Sequence, residues 1–162
     1  MNIYSKLTGF FLLYCFTAMT IIFSQTASAG DEKSIPGTNC RAFYNQDNVS
    51  YGDRGNLIND FNGRTLVTCP IVRDNMTGNS QHFSNTVKVR LYKRSNATTV
   101  CVLDSRTWSG NSGRQTFGYA SGTGYQTVYI PRTVFSYTRG VMSITCRLND
   151  DDQIFGIVYD ER

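Results

Sequence analysis

The chain has 162 residues, room for one domain after any leader, and sets 16 Lys and Arg against 12 Asp and Glu for a formal charge of +4. A balance so mild and so spread out argues against a nucleic-acid binder. One histidine in the whole chain also leaves little for histidine-based catalysis or metal ligation.

Taken from the N-terminus, residues 1–29 read as a secretory signal peptide. Lys6 precedes an apolar run from Leu7 to Phe23, and Ala27, Ser28 and Ala29 give the small-x-small exit that signal peptidase accepts. Cleavage after Ala29 leaves residues 30–162 as one exported domain and removes Lys6, so the charge falls from +4 to +3. No basic stop-transfer cluster follows the apolar run, so no stable membrane span is expected after processing. Bulky Leu13 and Tyr14 before Cys15 do not suit lipidation. The expected destination is secreted or periplasmic.

Beyond the leader, short segments rich in Thr, Val, Ile, Tyr and Phe alternate with Gly, Asn, Asp and Ser, the pattern of an all-β domain. Strands are predicted at Thr65–Val72, Thr86–Tyr92, Thr98–Leu103, Gln115–Tyr119, Tyr125–Ile130, Val141–Leu148 and Ile154–Asp160. In the second of these, Val87, Val89 and Leu91 alternate with Lys88, Arg90 and Tyr92, so one face is buried and the other wet. Pro70 lacks a donor N–H and marks a sheet edge or bulge. Turns are expected at residues 109–113, 121–124 and 149–152, and no segment after residue 30 sustains a helical apolar period. The expectation is a single antiparallel β-sandwich of about seven to eight strands, with a closed barrel as the alternative.

Four cysteines remain after processing: Cys40, Cys69, Cys101 and Cys146. In an exported chain they read as a disulfide framework; they contain no C-x-x-C pair that would suit a metal. Four cysteines allow three connectivities. Pairing Cys40 with Cys69 and Cys101 with Cys146 ties down the leading segment and joins two late strands, and the other two pairings stay open. On the chain-entropy account each bridge stabilises by roughly 3–4 kcal/mol.

Candidate chemistry is sparse. His82 sits in a polar loop and reads as exposed, without the partner that nucleophilic catalysis needs. Glu32 falls in a segment expected to be flexible, Glu161 is penultimate, and Asp60, Asp74 and Asp104 read as turn or strand-end residues. The run Asp150, Asp151 and Asp152 lacks the spacing and the Gly of a calcium loop and reads as an acidic turn. Lys88, Arg90, Lys93 and Arg94 read as a solvated face. Asn48, Asn75 and Asn96 each begin an N-x-S/T pattern that marks surface loops. No nucleotide fingerprint is present, and no cofactor or metal is expected.

Aromatics are the stronger bias, with 10 Tyr, 10 Phe and 1 Trp. Trp108 lies in a Ser/Gly-rich turn, and Tyr119, Tyr125 and Tyr129 flank the next loop. Exposed rings beside amide and carboxylate groups form the surface on which sugars stack. Trp108, Tyr119 and Tyr125 are therefore the candidate ligand-binding residues, against the alternative that they fill the core.

Several segments also carry a resemblance: Thr68-Cys69-Pro70-Ile71-Val72-Arg73-Asp74, Val100 to Leu103, Ser143 to Leu148, and Ile154 to Glu161. With the leading cysteine, this order resembles a family of small secreted bacterial disulfide-containing β-sandwich proteins with no assigned active site. The resemblance implies export, a disulfide-linked β domain and a bacterial source, and no reaction. The sequence thus points to a non-enzymatic binding protein, with carbohydrate or cell-surface recognition as the leading expectation. A protein-directed inhibitor or host-interaction factor is the alternative, and a hydrolase ranks behind both.

Overall fold

A strand with one buried face must alternate apolar and polar side chains, and in this chain that alternation decides which side of each strand meets the core. In a computed structural model, residues 31–72, 87–106, 112–131 and 141–161 are described; residues 1–30, Asp74, Asn75, His82 and Trp108 lie outside them. Among the described residues the strands are β1 (Asp31–Pro36), β2 (Arg41–Ala42), β3 (Val49–Tyr51), β4 (Leu57–Asn59), β5 (Thr65–Ile71), β6 (Val87–Lys93), β7 (Thr99–Arg106), β8 (Ser112–Ala120), β9 (Gly124–Ile130), β10 (Val141–Leu148) and β11 (Gln153–Glu161).

They form two antiparallel sheets. One runs β3-β4-β11-β6-β9, with β1 alongside the C-terminal half of β11; the other runs β2-β5-β10-β7-β8. The fold is an all-β sandwich, and each of the seven predicted strands is present within a few residues. The strands that the sequence did not reveal are β1 to β4. They include Glu32, which is not in a flexible start but pairs in register with Asp160.

The core lies between the sheets. Val67, Cys69, Cys101, Leu103, Ile144, Cys146 and Leu148 face it from one sheet; Leu57, Val89, Leu91, Val128, Ile130, Ile154 and Ile157 face it from the other. Burying each of the Val, Leu and Ile side chains stabilises by about 1.5–3 kcal/mol before entropy is counted. Tyr159 spans the gap, its hydroxyl donating to the Val72 carbonyl at 2.7 Å.

Both disulfides lie within the second sheet. Cys101 and Cys146 are register partners on β7 and β10 and are bonded to one another, and Cys40, just before β2, is bonded to Cys69 of β5. Strand β2 stops short of Pro70, so β5 is an edge strand at the residue that lacks a donor.

The turn at residues 121–123 does not close a hairpin within one sheet. It carries the chain from β8, the edge of one sheet, to β9, the edge of the other. The two edges meet at Gly118, where a Cβ would lie 2.6 Å from the Tyr129 carbonyl oxygen, so only glycine permits the approach.

Candidate functional site

Strand β6 turns Lys88, Arg90 and Tyr92 outward, and its register with β9 sets Tyr92 beside Tyr125, Arg90 beside Thr127 and Lys88 beside Tyr129. On its other side Gln153 of β11 pairs with Tyr92. Between Ile154 and Gly156 the register slips, so two residues of β11 oppose one of β6. This bulge breaks the alternation and brings the Phe155 ring beside Tyr125.

Three rings therefore gather on the outer face of the first sheet. The Tyr125 ring lies 5.2 Å from Tyr92 at 68° and 5.7 Å from Phe155 at 45°, edge-on and tilted rather than stacked. Such contacts contribute about 0.5–1.5 kcal/mol apiece. The Tyr92 and Phe155 rings both contact Tyr125 while leaving it 71% exposed.

A wall rises beside the rings from the loop between β3 and β4. Gly52 N–H donates to the Asn56 carbonyl at 2.9 Å, Gly55 N–H to the Gly52 carbonyl at 3.1 Å, and Thr38 N–H to the Gly55 carbonyl at 3.0 Å. Gly55 holds φ of 76°, a left-handed conformation that the turn requires and that side chains disfavour. The loop presents Asp53 and Arg54 at its tip and buries Asn56, whose Nδ2 donates to Gln153 Oε1 at 2.9 Å. That bond orients the Gln153 amide and leaves its Nε2 without a partner among the described residues. Asp53, Arg54, Asn56, Tyr92, Tyr125, Gln153 and Phe155 together enclose a groove of about 530 Å³, within the usual range for small-ligand sites.

Aromatic faces, amides and one exposed ion of each sign suit the recognition of a polyhydroxylated ligand, with C–H groups on the rings and hydroxyls on the polar rim. Asp53 is the groove's single carboxylate, whereas glycoside hydrolysis ordinarily uses two. A second hollow, of about 380 Å³, is lined by Thr38, Asn39, Arg41, Thr68 and Pro70 and has no ring.

Of the residues expected from sequence, Tyr125 lines the groove. Tyr119 does not join it: paired with Val100 on β8, it lies outward on the other sheet near Phe117, 62% exposed. Trp108 lies outside the described residues. Sequence reasoning missed Phe155, Asn56 and Gln153 as site residues. Tyr92 was visible on the wet side of its strand, but its neighbours were not.

The other candidates are engaged in structure. Lys93 is not part of a solvated face; its side chain is fully buried, 3.8 Å from Asp152 Oδ2, and donates to the carbonyls of Ser95 and Ala97. Asp152 accepts from Arg94 N–H at 3.2 Å, from Thr99 Oγ1 at 3.0 Å, and from both the backbone and side-chain nitrogens of Asn149. Asp151 pairs with Arg94 at 3.3 Å. Asp104 is buried within β7 and accepts from Arg106 Nε at 2.7 Å. Among the described residues no group of three His, Cys, Asp or Glu is placed to hold a metal ion, and no helix is long and apolar enough to cross a membrane.

Neither protein-family models nor curated proteins give a match to the sequence. Among solved structures the chain is similar to a family 6 carbohydrate-binding module, with 15% identity and a TM-score of 0.46 over 80% of this chain and 94% of that one. It is also similar to a second family 6 module, from Clostridium stercorarium in complex with cellobiose, with 20% identity and a TM-score of 0.37 over 82% and 88% of the two chains. A family two carbohydrate esterase from Cellvibrio japonicus aligns with 8% identity and a TM-score of 0.46; the match covers 82% of this chain but only about a third, 34%, of the esterase. At such identities, and with TM-scores below 0.5, these likenesses transfer neither a family nor a ligand to this chain.

Proposed function

We propose that the protein is an exported, non-enzymatic binding protein that recognises carbohydrate in the groove formed by Tyr92, Tyr125, Phe155, Asn56 and Gln153. The observation that carries this reading is Tyr125. A large ring in contact with two others, yet 71% exposed beside a concave polar wall, has no use in the core. Export follows from the expected leader at residues 1–29 and agrees with two disulfides, which persist in oxidising compartments. Trp108, a candidate from the sequence alone, is kept in the proposal as a second residue whose substitution is to be tested.

A screen of the purified oxidised protein against soluble and insoluble glycans tests the reading. Specific binding that Tyr125→Ala abolishes is the expected result. Binding that survives Tyr125→Ala, or a screen without any binder, overturns it.

A further inference from the structure

Tyr92 and Tyr125, which line the groove, belong to the outer face of β6 and β9, and that face has a charge pattern of its own. Tyr125, Thr127 and Tyr129 follow one another on the same side of β9, so Tyr129 lies about 13 Å from Tyr125 at roughly 3.3 Å per residue. It is 59% exposed. Between the two tyrosines the register places Arg90 next to Thr127 on one side and Gly156 on the other. Both register neighbours of Arg90 are smaller than the aromatic residues at either end of this stretch. Lys88 stands one step further along, beside Tyr129 and Val158.

Lys88 and Arg90 are set apart by their place, side by side on the outer face between the two tyrosines and without a counter-ion there among the described residues. Lys93 is matched with Asp152, Arg94 with Asp151 and Arg106 with Asp104. Lys88 and Arg90 are exposed and have no ion pair among the described residues. The acidic groups on this face lie at its two ends, Asp53 on the loop rim and Glu32 with Asp160 beyond Val158. Among the described residues, a ligand lying from Tyr125 to Tyr129 crosses the cations without crossing a carboxylate.

The geometry points to an anionic polysaccharide as the ligand of this site, with its chain running along β9 and its carboxylate or sulfate groups held by Arg90 and Lys88. The assignment rests on the carbohydrate reading of the groove and sharpens it. A guanidinium matches a carboxylate or sulfate through parallel N–H bonds, and an ammonium adds a point charge two positions away. A neutral glycan takes only hydrogen bonds from these groups, without the attraction between opposite charges.

The test compares polygalacturonate with its fully methyl-esterified form, which keeps the backbone and removes the charge; chondroitin sulfate serves as the sulfated arm. Calorimetric titrations are run at about 50 mM and about 0.5 M salt, since exposed charges are screened over a few ångströms at the higher strength. The expected result is at least about tenfold tighter binding of an anionic glycan at low salt. That advantage falls about fivefold with Lys88→Gln or Arg90→Gln and disappears in the double variant, while Tyr125→Ala weakens every glycan. The sulfated and carboxylated arms identify which anion is preferred.

Equal binding of the charged and esterified polymers, still abolished by Tyr125→Ala, overturns the anionic assignment and leaves the carbohydrate reading standing. Binding of oligothymidylate as tight as that of the best glycan and indifferent to Tyr125→Ala shows a bare polyanion surface and overturns it as well. No binding to any of these glycans, or to the neutral ones of the wider screen, overturns both.

Discussion

Strand β6 ends on two residues with opposite fates. Tyr92 points outward into a groove where Gln153 Nε2 has no partner among the described residues and Tyr125 is largely bare, whereas Lys93 points inward, where its ammonium meets Asp152 and two carbonyls. Around Asp152, Arg94, Thr99 and Asn149 converge until the carboxylate is surrounded by donors. The Asp152 cluster is rich in polar groups but has little left to offer a ligand. In the groove, polar groups are fewer but keep unused bonding capacity in an open concavity. Capacity left over after folding, rather than density of charge, is what recommends the groove over the Asp152 cluster as the proposed site.

The largest effect expected from this contrast comes from breaking the saturated side. Asp152→Ala strands a buried ammonium and should lower unfolding free energy by about 3–5 kcal/mol in denaturant titrations; a loss under about 1 kcal/mol would mean that the pair is not buried as described. Next comes Tyr125→Ala, which should weaken glycan binding tenfold or more, about 1.4 kcal/mol, while lowering stability by about 1–3 kcal/mol through the two ring contacts it removes. Gln153→Ala removes one oriented amide and should weaken binding about fivefold, near 1 kcal/mol, by calorimetry. Tyr119→Ala, on the outer face of the other sheet, should change binding and stability by no more than about 0.5 kcal/mol. A binding loss from Tyr119→Ala equal to that from Tyr125→Ala would dissolve the contrast between the two faces.

The long strands were legible because β5, β6 and β10 each bury one side and wet the other, which writes the period of two into the sequence. Strands β2, β3 and β4 have two or three residues each, too few for any period to show. Lys93 was unreadable because a charged residue at an inward position makes sense only with Asp152, far along the chain. Tyr125 could be found from its exposed aromatic context, and Tyr119 has the same context. What separates them is that the turn at residues 121–123 changes sheets, which its Ser-Gly-Thr sequence does not record. Phe155 stayed hidden because a bulge, invisible as composition, re-aims it.

The central claim, that an exposed ring cluster on one sheet is a carbohydrate site, is tested most directly by titrating the purified protein, Tyr125→Ala and Tyr119→Ala in parallel with the best glycan from the screen. Binding kept in Tyr119→Ala and lost in Tyr125→Ala, with both variants folded, is the expected result. Binding that persists in Tyr125→Ala, or is lost equally in both, would contradict the account.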